Sequence, residues 1–196
     1  MSNPLTSAKV AAKERDLQGG MFESACDSTP IDAVLSGLLS GRAVKSARVQ
    51  YRFVGSGVTR STVLFQRGDC TGDPAYTFNE SGNVTSINPD EKTSDGGKTI
   101  DLEFDHLSLA MGDAEGVKIA NDLKLCDVVD WAPNQNRDVT AASAKVNCFR
   151  SRRPVKEYNV YRIDGGALML GQPGADGASR PTHLNASRKY MSGGAH

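Results

Sequence analysis

Apolar residues recur along this chain first at helical and then at strand spacing. Residues 5–17, from Leu5 to Leu17, are rich in Ala, Lys, Glu and Arg. With Pro4 where a first turn tolerates it, they predict a short helix stopped by Gly19-Gly20. Met21 to Cys26 predicts a strand. Ile31, Val34, Leu35, Leu38 and Leu39 then form one apolar stripe. Pro30 suits a first turn and Gly41 a stop, so a second helix is expected over 31–39. Its stripe could plug a barrel end or pack on the outside of a sheet.

From Val49 the period is two. Val49, Tyr51 and Phe53 alternate with Arg48, Gln50 and Arg52. Gly55-Ser56-Gly57 signals a hairpin loop, and Val58 to Gln66 is the return strand, with Val63 and Phe65 set against Thr62 and Leu64. After a turn cluster at 68–74, Tyr76 and Phe78 open another strand. Ser81-Gly82-Asn83 predicts a turn into Val84–Ile87, and 88–97 a polar loop. Ile100, Leu102 and Phe104 against Asp101, Glu103 and Asp105 give the cleanest alternation, with one dry and one wet face. Leu107, Leu109 and Met111 extend it. Residues 117–126 fit helix or strand. Strands are expected at 143–150, 157–163 and finally 168–170, followed by a tail rich in Gly, Ala and Ser. Many short strands at regular spacing favour an antiparallel sandwich or barrel over a parallel α/β sheet.

Three pieces of the chain resemble the lipocalin-like barrels of the calycin superfamily, especially small exported bacterial members. A short helix leads to Gly20-Met21-Phe22, similar to the lipocalin Gly-x-Trp strand with Phe22 at the Trp position. Hairpin-like strands fill 44–125. Tyr158 to Ile163, a glycine turn, Leu168-Met169-Leu170-Gly171 and Arg180-Pro181-Thr182 close the chain as the last lipocalin strands do. The Arg that covers the lipocalin Trp has two candidates here, Arg180 and Arg188. The resemblance implies a mostly β fold: an antiparallel up-and-down barrel, calycin-like, with a short N-terminal helix and one helix after the first strand. The expected layout is a helical segment at 1–17, one barrel domain at 18–190 and a disordered tail at 191–196. The implied function is non-enzymatic binding of a hydrophobic or amphipathic small molecule. The alternative is a disulfide-stapled β-domain with a filled core that binds a protein or the cell envelope.

Composition narrows this further. The chain has 196 residues, a formal net charge of +0 and a pI near 6.8. That balance lacks the basic excess of a nucleic-acid binder. No apolar run approaches the roughly 20 residues of a transmembrane helix. Cys26, Cys70, Cys126 and Cys148 include no Cys-x-x-Cys, and no histidine stands at ligand spacing from them, so neither metal nor cofactor is expected. Four cysteines allow three pairings. Cys26–Cys70, tying the first strand to the 68–74 turn, and Cys126–Cys148, closing the Trp131 loop, are favoured. Each bridge would contribute about 2–4 kcal/mol. Disulfides imply an oxidising compartment: periplasm, cell surface or medium. Met1-Ser2-Asn3-Pro4 shows no secretory signal, so an exported protein requires a signal removed ahead of Met1. The competing reading is a cytosolic protein with four free thiols.

Candidate chemistry is sparse. His106 and Ser108 share a strand face beside Asp105, but no Gly-x-Ser-x-Gly elbow accompanies them. A solvated strand face explains them, and no catalytic residue is assigned. Gly96-Gly97-Lys98-Thr99 resembles the end of a phosphate-binding loop, yet it lacks the upstream glycine and leads into a strand. Asp101, Glu103 and Asp105 read as a wet face whose mutual repulsion discourages edge pairing. Arg150, Arg152, Arg153 and Lys156 read as a solvated basic loop. Asn79, Asn83 and Asn185 head N-glycosylation patterns. The alternating aromatics Tyr51, Phe53, Phe65, Tyr76, Phe78 and Phe104, with Leu102, provide the ligand expectation: they line a barrel interior that either holds a small apolar ligand or is filled by side chains, with Trp131 at its mouth or anchoring its loop.

Overall fold

The computed structural model describes residues 16–28, 44–149, 151–172 and 179–193. Their elements are β1 (Met21–Ser24), β2 (Ser46–Val54), β3 (Gly57–Phe65), β4 (Tyr76–Lys92), β5 (Lys98–Met111), α1 (Ala114–Asp122), β6 (Arg137–Asp138), β7 (Val155–Asp164), β8 (Ala167–Gly171) and β9 (Leu184–Ser192). Eight strands close into one antiparallel barrel, compatible with a lipocalin-like fold. Around it run β1, β2, β3, β4, β5, β7, β8 and β9, and β9 pairs back onto β1. Each barrel strand neighbours the next in sequence, so the barrel is up-and-down. β6 only adds two residues against β5. The expected helix at 31–39 lies outside the described residues, as does that at 5–17 except for its last two residues, which enter a turn.

Register decides which side chains enter the barrel. Phe53, Tyr51, Val49 and Ala47 on β2 stand opposite Val58, Arg60, Thr62 and Leu64 on β3. Directly paired residues share a face. The inward set of β3 is therefore Val58, Arg60, Thr62 and Leu64, and Phe65 points outward, against expectation. Both faces of this strand mix apolar and polar residues, so alternation alone could not choose between them. The β2–β3 hairpin turns at Gly55, whose φ of 60° sits where a II′ hairpin takes glycine.

β4 runs unbroken through Ser81-Gly82-Asn83, which is not the expected turn, and on through much of the expected polar loop. Gly82 serves close approach instead: a Cβ there would lie 1.9 Å from the Glu103 carbonyl oxygen. Beside it β5 carries an extra residue, because Ser81 pairs with His106 and Gly82 with Phe104, leaving Asp105 out. This bulge shifts the strand's parity. Ile100, Leu102 and Phe104 face inward before it, and Leu107, Leu109 and Met111 after it.

Two further departures have physical causes. β9 occupies part of the expected tail. Its inward positions include Arg188 and Tyr190, so it shows no apolar alternation. Residues 143–149 form turns bonded Ser143 to Thr140, Lys145 to Ala142 and Cys148 to Lys145, not a strand. Residues 117–126 resolve into the end of α1 and a short 3₁₀ turn at Leu125–Asp127. Asp113 caps α1 by accepting from Gly116 N at 2.9 Å.

The interior forms two apolar clusters. The first joins Phe22, Tyr51, Phe53, Val58, Val84, Ile100, Leu102, Phe104, Tyr161, Leu168 and Tyr190, with Leu17 fully buried among them. The second joins Leu64, Tyr76, Phe78, Leu107, Leu109 and Met111 to Ala120, Leu125, Trp131, Val139 and Cys148. It roofs part of the barrel end with α1 and the 125–148 loops. Both expected disulfides are present, with Cα–Cα distances of 5.7 Å for Cys26–Cys70 and 4.6 Å for Cys126–Cys148. The second closes the Trp131 loop. No helix of the described residues is long and apolar enough to cross a membrane.

The crossing at Gly82 yields a direct test. Gly82→Ala should destabilise by about 1–3 kcal/mol in urea unfolding, through overpacking against Glu103. Gly68→Ala, where an added Cβ meets nothing within 4 Å, should stay within about 0.5 kcal/mol of the parent. Equal effects would contradict the bulge geometry.

Candidate functional site

The site begins with one rung of the barrel. Tyr51 on β2 pairs with Arg60 on β3, and Arg60 with Glu80 on β4. Their side chains enter the lumen together. Arg60 Nε donates to Glu80 Oε2 at 2.6 Å. Its Nη1 crosses the lumen to Glu157 Oε2 on β7 at 2.7 Å and also lies 3.3 Å from the Tyr51 hydroxyl. The guanidinium stacks 4.4 Å from the Phe104 ring centroid, where cation and ring face attract. Arg153 closes the set, donating from Nη1 to Glu80 Oε1 at 2.8 Å. Asn159 donates to Glu157 Oε1 at 2.8 Å.

Two guanidiniums and two carboxylates thus form a nearly enclosed network. The Arg60 and Arg153 side chains are 19% and 8% exposed. Burial opposes the Glu80 charge, but Arg60 and Arg153 outweigh it and hold the carboxyl below its usual range. Burial also opposes the Arg60 charge. Tyr51, Glu80 and Glu157 more than compensate, so it stays protonated. The Tyr51 phenol is pushed up, chiefly by burial.

Beside this network the lumen opens into a cavity of about 780 Å³. Its wall combines Ala47, Val49 and Tyr190 with Thr62, Arg60, Glu157 and Arg188. The Cys26–Cys70 bridge stands at its rim: Cys26 lines the cavity, and the Cys70 amide donates to Ser46 Oγ at 3.1 Å. Ser46 is fully buried. A mixed wall of this size suits a small molecule with both apolar and polar parts. Two smaller clefts, of about 420 and 340 Å³, lie by Arg180–Ala186 and by Thr140–Pro154.

The residues expected to bind ligand are placed elsewhere. Tyr51, Phe53, Leu102 and Phe104 come together, but as a packed cluster; Tyr51 and Phe53 stack with centroids 6.2 Å apart. Phe78 belongs to the other cluster, edge-on to Phe149 at 5.1 Å. Phe65 faces away from the lumen. Trp131 is a loop anchor, 4% exposed, with its Nε1 donating to the Leu125 carbonyl at 3.3 Å. None of the seven lines the open cavity. The residues that do were hidden because Arg60, Glu157 and Arg188 are charged residues on inward faces, where alternation expects apolar side chains. Phe22 packs edge-on to Phe53 with centroids 6.3 Å apart. Arg180 is bound to Asp101 and to the Ile100 and Asn159 carbonyls, whereas Arg188 stands in the lumen.

The other motifs resolve plainly. His106 Nδ1 lies 2.7 Å from Asp105 Oδ1 on the outer face, and Asp105 raises the imidazole above its ordinary value. Ser108 Oγ accepts from Asn136 at 2.9 Å, so it is engaged away from that pair. The acids of β5 do not stand as a repelling row. Asp101 pairs with Arg180 at 2.6 Å and Glu103 with Lys156 at 3.5 Å. The basic run divides as well, with Arg153 turned in to Glu80; Arg150 lies outside the described residues. Gly96-Gly97 turns β4 into β5, and Lys98 pairs with Asp16 at 2.5 Å. Asn185 lines the cavity rim, while Asn79 and Asn83 lie on the outer face of β4. Among the described residues no group of three His, Cys, Asp or Glu is placed to hold a metal.

The chain matches no protein-family model and no curated protein.

Removing Arg60 should cost far more than removing a surface charge. Arg60→Met leaves two buried carboxylates short of a partner, an expected loss of about 3–5 kcal/mol in urea unfolding. Lys118→Met, at the exposed pair with Asp122, should leave the urea midpoint nearly unchanged. Glu80 also predicts a pH dependence. Its folded pKa is depressed, so its stabilisation is present above the unfolded value of about 4.3 and is lost as pH falls through the folded one. Glu80→Gln should flatten the stability profile in that acid window. An unchanged slope would show that Glu80 is not held by its two arginines.

Proposed function

We propose that this protein is an exported, lipocalin-like carrier that captures a small amphipathic molecule in the open half of its barrel, without catalysing a reaction. The observation that carries the reading is the 780 Å³ cavity beside the Arg60–Glu157 pair, with Ala47, Val49 and Thr62 on its β2–β3 wall and Arg188 on β9. Apolar contact provides affinity there, and the polar wall orients the guest. A ligand confined to this half is amphipathic, because the aromatic half is already filled by its own side chains. The two disulfides support an exported setting, since such bridges persist in oxidising compartments.

The rival is an interaction module. Val129 and Val146 are 66% and 72% exposed on the segment stapled by Cys126–Cys148, Leu123 just ahead of it is 49% exposed, and an apolar loop surface suits a protein or envelope partner.

The experiment is calorimetric titration of the full chain with decanoate and decanol. The expected result is one saturable site for at least one probe, lost in Val49→Trp, which fills the cavity wall, while far-UV circular dichroism stays native. If neither probe binds the parent protein, the carrier reading fails and the interaction module leads.

A further inference from the structure

The cavity wall is electrostatically unbalanced. Arg60 and Arg153 neutralise Glu80 and Glu157 through three ion pairs. Arg188, which also faces the cavity, has no such partner. Its Nη1 donates to the Gly171 carbonyl at 2.6 Å, and no described carboxylate forms an ion pair with it. The acid nearest in influence, Glu157, is already held by Arg60 and Asn159. Asp27 and the exposed Lys189 also line the cavity, so the wall and its network hold four cations (Arg60, Arg153, Arg188 and Lys189) against three carboxylates (Asp27, Glu80 and Glu157), a balance of one positive charge.

The position of Arg188 follows from the fold. It stands one inward step from Tyr190 on β9, and Tyr190 pairs with Leu168 on β8 and Ser24 on β1. The Tyr190 ring packs edge-on against Tyr51 with centroids 5.2 Å apart, which fixes one side of the cavity. The strand thus carries a cation inward where its neighbours carry apolar and hydroxyl groups. Half-burying a guanidinium without a carboxylate sacrifices hydration that the Gly171 carbonyl and the Tyr190 hydroxyl only partly replace. An incoming oxyanion supplies the missing partner, and the planar guanidinium matches it with two parallel donors.

We infer that the guest of this cavity is a monoanionic amphiphile whose oxyanion docks on Arg188 beside the Tyr190 phenol, with its apolar part against Ala47 and Val49. The inference rests on the carrier reading and assigns its ligand class. One negative charge is the complement of that balance, because Arg60 and Arg153 are already neutralised by Glu80 and Glu157. Carboxylate, sulfonate and phosphodiester headgroups share this chemistry.

The test compares decanoate, decanesulfonate and decanol by calorimetric titration on the parent, Arg188→Gln and Arg188→Lys. Both anions should bind at least about tenfold more tightly than decanol, a hydrogen-bonded ion's worth of affinity. Arg188→Gln should erase that preference and leave decanol binding as it was, while Arg188→Lys keeps part of it. Equal affinity for the two anions assigns recognition to charge. A stronger decanoate assigns it to the planar carboxylate. The parent provides a check that needs no variant: raising NaCl from about 0.05 to 0.5 M should weaken decanoate binding and spare decanol. Decanol binding as tightly as decanoate, or an anion preference that survives Arg188→Gln, would overturn the anion site. The carrier reading would still stand if Val49→Trp blocks both probes. Absence of binding by every probe would overturn both.

Discussion

The ion pair that Arg60 throws across the lumen is the constraint from which the rest of this barrel follows. A guanidinium inside a barrel must be paired or it is expelled to water. Arg60 meets that demand with Glu80 beside it, Glu157 opposite it and the Phe104 ring beneath it. Once these partners are in place, the lumen has a polar crossbar. On one side Phe53, Phe104, Leu102 and Tyr161 pack against one another, and on the other the wall turns polar and, among the described residues, stays open. Filled core and open pocket, alternatives when the barrel is imagined from its strands alone, coexist in one lumen.

The ends of the barrel are shaped by different means. Leu17 and Phe22 seal the aromatic end by packing. The opposite end is divided. Over β4 and β5 it is roofed by α1 and the loops that Cys126–Cys148 holds in place around Trp131. Over β1, β2 and β9 it is open among the described residues, and Cys26–Cys70 fixes its rim. The bulge at Asp105 links these parts. It lets β5 present Phe104 to one cluster and Leu107 to the other while remaining a single strand. The disulfides are therefore fasteners of the mouth and of the roof, and the chemistry lies between them.

Much of this was legible in the residues. The alternation of Ile100, Leu102 and Phe104, the Gly55 hairpin and both cysteine pairings follow from local rules that the tertiary structure respects. The number and spacing of short strands favoured a sandwich or a barrel, and the lipocalin-like resemblance implied the barrel. What escaped has one common cause: alternation assumes that inward means apolar. Arg60, Glu157 and Arg188 violate that assumption, so β3 was read on the wrong face and β9 as tail. Gly82 was read as a turn because glycine marks close approach and chain reversal alike. Signals did exist. Arg60 and Glu80 stand on adjoining strands, and inward-facing charges of opposite sign need each other. Pairing them required a register that single-strand patterns do not supply.

The central claim is that the Arg60 network divides the lumen into a packed half and a receiving half. The most direct test is a high-resolution crystal structure of the full chain grown with decanoate. The account predicts ligand density between Val49 and Arg188, the Arg60–Glu157 contact intact, and none among Phe53, Leu102 and Phe104. Density reaching those aromatic rings, with Arg60 swung away from Glu157, would contradict it.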